Sequence, residues 1–179
     1  MESTSSSSKS LILIKWGIVG ALISFLFSIV TQYSGLAEDF SETLGWVSFL
    51  FTFVLNVTIL FLALKEVREL QAGYLTYGEG LGSSTMLGGI WGIFAGGFNY
   101  IYLSFIDNSM IQKQMEMARE RMEDQGLSAS EIQQAEKLTN MMLGPGVQFV
   151  TVVIATIFIL FIVGLVVSGI MKREKPIFD

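Results

Sequence analysis

The chain has 179 residues, of which 51% are hydrophobic and only 15% charged, whereas an ordinary soluble domain carries roughly a quarter charged residues. Its formal charge of -5 provides no basic footprint for nucleic acid. Because it contains no Cys and no His, thiol catalysis, disulfides, haem attachment, His proton relays and most zinc sites are excluded. The length suits one domain, so the expectation is a single membrane domain with the bilayer as its solvent.

Residues 1–10 are Ser-rich and polar and read as a flexible tail, leaving 11–179 as the membrane domain. Residues 11–32 are apolar over roughly the 20 residues that cross a ~30 Å hydrocarbon core as a helix. A cleaved signal peptide would have an apolar region of ~7 to 15 residues and a small-residue cleavage site. This run is longer and has no such site, so it reads as a retained first span. An acidic turn follows with Glu38, Asp39 and Glu42 and no basic residue. The second span, 44–64, ends in Lys65, Glu66, Arg68 and Glu69, with Tyr74 and Tyr77 beyond it at positions suited to headgroup depth.

The third span, 81–106, carries a ladder of small residues at every fourth position: Gly80, Ser84, Gly88, Gly92 and Gly96, with Gly78, Gly82, Gly89 and Gly97 among them. In water so much Gly would melt a helix, but in lipid every backbone N–H must be satisfied internally and the helix persists. Lipid tails are as apolar as Leu, so membrane helices associate by close packing through small side chains. The ladder therefore reads as a seam against a neighbouring span, the other reading being the wall of a pore. Small faces at Gly17, Ala21, Ser24 and Ser28 in the first span, and at Gly164 and Ser168 in the fourth, offer partners within the chain; a second copy is the alternative.

Residues 107–143 interrupt the apolar pattern and read as two amphipathic helices. Ile111, Met115, Ala118 and Met122 form one stripe, and Ile132, Ala135, Leu138 and Met142 the other. Asp107 or Asn108 can cap the first helix, Gly126 supplies a left-handed stop, and Ser128 with Glu131 makes a capping box for the second. Six Met residues lie here, a composition suited to an adaptable surface, to a hairpin packed on itself or to one lying on headgroups. Gly144-Pro145-Gly146 leads into the fourth span, 147–170, closed by Lys172, Arg173 and Lys175.

Lys9, Lys15, Lys65, Arg68, Lys172, Arg173 and Lys175 fall on one side of this topology, so the positive-inside rule places both termini in the cytoplasm and the hairpin in the periplasm. Ionisable groups at membrane depth are functional candidates by default. Lys15 can snorkel to the interface. Glu79 stands at the mouth of the third span as a possible ion or partner contact, or as a carboxylate complementing the helix N-terminus. Asn56 and Asn99 need hydrogen-bond partners at depth, from a neighbouring helix or a polar ligand.

Tyr77-Gly78-Glu79-Gly80, the Gly-rich span behind it, Asn99-Tyr100-Ile101-Tyr102 and the charged insert before a last span together resemble the "domain of unknown function 4199" family of small four-span inner-membrane proteins of Gram-negative bacteria. The layout corresponds over nearly the whole chain, the residue matches over about Tyr74 to Tyr102. Family members often carry Pro just after the third span, where this chain has Ile106-Asp107-Asn108. The resemblance implies no activity, so no catalytic residue, cofactor or metal site is carried over. The sequence thus predicts an all-α, integral-membrane four-helix bundle with an amphipathic helical hairpin between the third and fourth spans. It is expected to be a non-enzymatic structural or accessory subunit, in a homo-oligomer or with another membrane protein and without nucleic acid. The alternative is a small transporter or channel whose path follows the third span past Glu79, Asn56 and Asn99.

Overall fold

The computed structural model describes residues 2–33 and 41–175; the acidic turn with Glu38 and Asp39 lies outside them. The described residues form α1 (Glu2–Tyr33), α2 (Ser41–Leu70), α3 (Tyr77–Ile101) with a π-helical turn (Tyr102–Ile106), α4 (Ser109–Asp124), α5 (Ala129–Leu143) and α6 (Pro145–Met171). Four stretches are long and apolar enough to cross a membrane: Ser7–Tyr33, Gly45–Leu70, Tyr77–Ile106 and Pro145–Met171. The chain divides into two compact units, Met1–Ala95 with Val153–Asp179, and Gly96–Val152.

In the first unit α1 and α2 lie side by side and antiparallel, because Lys15 meets Glu66 near one end and Phe27 stacks on Phe51 at 3.9 Å further along. Leu13, Ala21, Leu60, Leu64, Val67, Leu87 and Leu160 are fully buried. Large apolar side chains such as Leu26, Phe49, Phe53, Phe158 and Val166 point outward, the pattern of helices whose solvent is lipid. Residues 2–10, expected as a flexible tail, are helical and continuous with α1. An existing helix is extended by propagation alone, without the unfavourable nucleation step that an isolated polar segment would need.

Helix α2 runs past the expected boundary at 64 and stops at a Schellman-type cap. The Gly73 N–H donates to Arg68 O at 2.8 Å and the Ala72 N–H to Glu69 O at 3.2 Å, with φ of 55° at Ala72 and 88° at Gly73. After this turn Leu75 pairs with Arg173, each N–H donating to the other's carbonyl at 2.9 and 2.8 Å. The α2–α3 connection and the chain beyond α6 are therefore clasped together, and the basic residues Arg68, Lys172, Arg173 and Lys175 gather at that end of the unit.

The second unit contains the end of α3, the π-helical turn, α4, α5 and the first residues of α6. Within it α3 does not stay α-helical to residue 106 as its sequence suggests. From Tyr102 the turn widens, so that the Asp107 N–H reaches Tyr102 O at 3.0 Å. Asp107 also caps α4, its Oδ1 accepting from the Ser109 N–H at 2.8 Å. Helices α4 and α5 pair, with Arg119 joined to Glu123 at 2.9 Å and across to Glu136 at 3.6 Å.

Gly126, at φ 74°, and the Ser128–Glu131 capping box form the intervening turn, at the positions the sequence assigns. The α4 stripe Ile111, Met115, Ala118 and Met122 is its less exposed face, but the α5 stripe is rotated. Its shielded residues are Ile132, Ala135, Glu136, Thr139 and Leu143, and Leu138 and Met142 face out. Glu136 stands half-buried beside Arg119, and Thr139 and Leu143 take the shielded positions that the spacing assigns to Leu138 and Met142.

Candidate functional site

Helix α3 is the candidate site, because its glycines decide how near other helices can come. A Cβ added at Gly88 would stand 2.9 Å from the backbone Cα of Ile157 in α6, and one at Gly92 would stand 2.9 Å from Val153 Cα. Neither neighbour can move without displacing the helix that carries it. Gly80 faces Ser168, whose Oγ would be 2.8 Å from such a Cβ, and Ser84 sits against Gly164 of α6, where the separation would be 2.6 Å to Ser84 Cβ. Inside the second unit, Gly96 stands in the same way against Phe149. The ladder residues thus meet α6 of their own chain. On another side of α3, Trp91 lies flat on Gly20 of α1, and Ile90 presses on Gly17.

Other glycines of α3 differ: Gly97 in the second unit is open, and so are three in the first. Gly78, Gly82 and Gly89 have nothing within 4 Å of an added Cβ. At about 100° per residue they share one helix face with Met86 and Ile93, both of which are exposed. The sequence counts these residues among the small ones but does not say which face is filled, since that depends on where α1 and α6 lie.

The polar residues fall into separate local arrangements. Glu79 folds back on Thr76, its Oε2 accepting from the Thr76 N–H at 2.9 Å and from the Thr76 hydroxyl at 2.8 Å, while the Glu79 N–H donates to Thr76 Oγ1 at 3.3 Å. This is a reciprocal capping box at the start of α3, and Gln71 adds a bond at 3.3 Å to Glu79 Oε1. The signal was readable, because Thr76-Tyr77-Gly78-Glu79 has the same spacing as Ser128 to Glu131. Asn56 is buried and its amide donates to Thr52 O of its own helix at 2.7 Å.

Asn99, in the second unit, has a buried Oδ1 without a hydrogen-bond partner, as does the fully buried Ser168 at its Oγ. Ser83, Ser84 and Thr85 instead turn their hydroxyls back to carbonyls one turn earlier, which satisfies them within α3.

One polar cluster was not read from the sequence. Glu66 of α2 accepts from Lys15 Nζ at 2.6 Å and from the Trp16 indole N–H at 2.8 Å. The residues lie about fifty positions apart, so only the antiparallel pairing of α1 and α2 brings them together. Lys15 is therefore engaged by a carboxylate, where the sequence suggested snorkelling alone.

On the hairpin, hydrogen bonds from the Ser128 hydroxyl and backbone N–H hold the Glu131 carboxyl below the usual carboxylate range. The Glu123 carboxylate, with Glu136 beyond it, raises the affinity of Arg119 for its proton. Among the described residues no group of three or more Asp and Glu is arranged to hold a metal ion. A model of the family described as "Protein of unknown function (DUF4199)" matches residues 15–173. No curated protein and no solved structure matches the chain.

Proposed function

The chain belongs to the DUF4199 family, and we propose that it is a non-enzymatic, multi-pass inner-membrane protein that acts as a structural or accessory subunit. The observation that carries this reading is the open glycine face of α3. Gly78, Gly82 and Gly89 have no neighbour within 4 Å, and a bare helix backbone in lipid gains dispersion contacts when another helix closes on it. A second copy or another membrane protein fits that face, while the ladder from Gly80 to Gly92 packs α3 on α6 inside the chain.

The α4–α5 hairpin projects from the membrane between the third and fourth spans. Both termini lie in the cytoplasm, a placement supported by the basic residues collected at the Leu75–Arg173 clasp. Chemical cross-linking of the protein in native membranes, followed by size measurement in mild detergent, tests the reading. Gly82→Ile with Gly89→Ile should abolish the cross-linked species and leave a folded monomer; a wild-type protein that is monomeric under both conditions overturns the proposal.

The alternative, a small transporter or channel along α3, draws on the unpartnered Asn99 Oδ1. It has less support from Glu79, whose carboxylate is already held by Thr76 and Gln71. Liposome flux unaffected by Glu79→Gln and by Asn56→Leu would remove it.

A further inference from the structure

The hairpin does not bury a core of its own, for α5 contains no buried residue. Its outward face is polar over the earlier turns, where Ser130, Glu131, Gln133, Gln134 and Lys137 are exposed. Over its last six residues it becomes largely apolar, with Leu138 61%, Met141 65% and Met142 69% exposed and Asn140 the exposed polar residue among them. In the same unit Phe105 and Ile106, at the end of the π-helical turn, are 79% and 68% exposed. Among the described side chains, and apart from Met117, the large hydrophobic ones that the unit exposes beyond α3 lie close in sequence to the two points where the chain leaves and re-enters its apolar spans.

From these positions we propose that the base of the hairpin lies in the headgroup layer of the bilayer, with Leu138, Met141 and Met142 of α5 facing lipid beside Phe105 and Ile106. The inference rests on the four-span reading and adds the partner of this surface.

Chain length sets the depth. Met142 precedes Pro145, the first residue of α6, by three positions, which reach at most ~11 Å even when fully extended. The headgroup layer adds roughly 5–8 Å beyond each side of the hydrocarbon. The last turn of α5 therefore cannot leave the interface by more than a few ångströms, whereas its first turns can. The exposed apolar residues of the outward face, from Leu138 on, are those nearest Pro145. A protein partner would have no reason to restrict its contacts in this way, because the whole outward face of α5 would be open to it. Val147 and Val150, exposed on the first turns of α6, continue the apolar surface directly into the span.

Charge bears on the kind of lipid contact. Residues 107–143 hold seven acidic and four basic side chains, so attraction to anionic headgroups does not hold the hairpin down. The contact is apolar burial at the interface, and it should be indifferent to lipid charge and to salt.

The absence of Cys from the chain permits a direct test on the full-length protein. Single-Cys variants Met141→Cys, Gln134→Cys and Ile154→Cys are labelled with an environment-sensitive fluorophore and reconstituted into phosphatidylcholine vesicles with and without phosphatidylglycerol. The label at 141 should be blue-shifted and quenched several-fold less by aqueous iodide than the label at 134. It should also be quenched by a spin label attached to the lipid headgroup, equally in both vesicle types. A label at 141 as open to iodide as that at 134 would overturn the proposal, as would one shielded from both quenchers, which would mean that protein covers it. Shielding that needs phosphatidylglycerol would overturn it too. The label at 154 reports on the span alone; if an acyl-chain quencher fails to reach it, the four-span reading falls instead.

Discussion

On one side of α3, Gly88 and Gly92 lie against the backbone of α6; on another, Gly78, Gly82 and Gly89 face nothing within 4 Å. Residue type is the same on both faces and the helix is continuous, so the difference comes from the neighbours. A glycine in a membrane helix has two uses: it lets another backbone approach closely, or it leaves a shallow trough. In the first use its replacement meets atoms that cannot yield. In the second the replacement only fills space, and whatever lies in the trough is displaced.

The largest expected effect belongs to the filled face. Gly88→Ile or Gly92→Ile must push α6 aside along its backbone, and overpacking of this kind costs typically ~1–3 kcal/mol where neighbours can adjust. Here the nearest atoms are main-chain, so the upper end of that range is expected, read as a marked fall in thermal unfolding temperature in detergent. Gly82→Ile and Gly89→Ile should stay within roughly 0.5 kcal/mol of wild type, the usual span for surface substitutions. If both pairs lowered thermal stability equally, the two faces would not differ in the way their surroundings indicate.

A smaller effect tests whether the filled side depends on α6 alone. Helix α1 also reaches α3, through Gly17 and Gly20 beneath Ile90 and Trp91, and it is tied to α2 by Lys15 and Trp16 on Glu66. Glu66→Gln removes the charge that pairs with Lys15 but keeps an acceptor for the indole. Hydrogen bonds to charged groups contribute about 1.5–3 kcal/mol, and the Lys15 and Glu66 side chains are 51% and 36% exposed, which reduces the expected loss to roughly 1 kcal/mol. Cross-linking through the open face should not change. A loss of cross-linking in Glu66→Gln would instead mean that α1 placement controls that face.

These contrasts also mark what the sequence could and could not tell. Span positions were legible because about 20 apolar residues in a row have one common explanation. Gly126 and the Ser128–Glu131 box were legible because a cap is a local interaction between neighbours in sequence. The matching Thr76–Glu79 box was present in the same form, but the apolar pattern drew the start of the third span to residue 81, past the cap. Which glycines of α3 are filled, and that Glu66 holds Lys15, were not legible, since both depend on contacts between segments far apart in the chain. The rotation of α5 was missed for a related reason: which of Leu138, Thr139, Met142 and Leu143 is shielded depends on where α4 lies, not on the spacing within α5.

Acidity gives the smallest effect and separates the two units of the chain. The glycine contacts of α3 with α6 involve no titratable group, so they should not respond to mild acid. The α5 cap does involve one. Glu131 is held below the usual carboxylate range by the Ser128 hydroxyl and N–H, so it binds its proton more weakly in the folded hairpin than in the unfolded chain. Its stabilising contribution is therefore complete above the ordinary carboxylate pKa and declines as the pH falls through the lowered value. The protection of the backbone amides at residues 129–132, measured as the exchange rate relative to the intrinsic rate at each pH, should fall on acidification, while the protection along α3 from 82 to 92 stays constant. Glu131→Gln, which keeps an acceptor for the Ser128 N–H, should exchange faster than wild type at neutral pH and lose the acid dependence. An acid dependence that persisted in this variant would assign the effect to the other carboxylates of the hairpin.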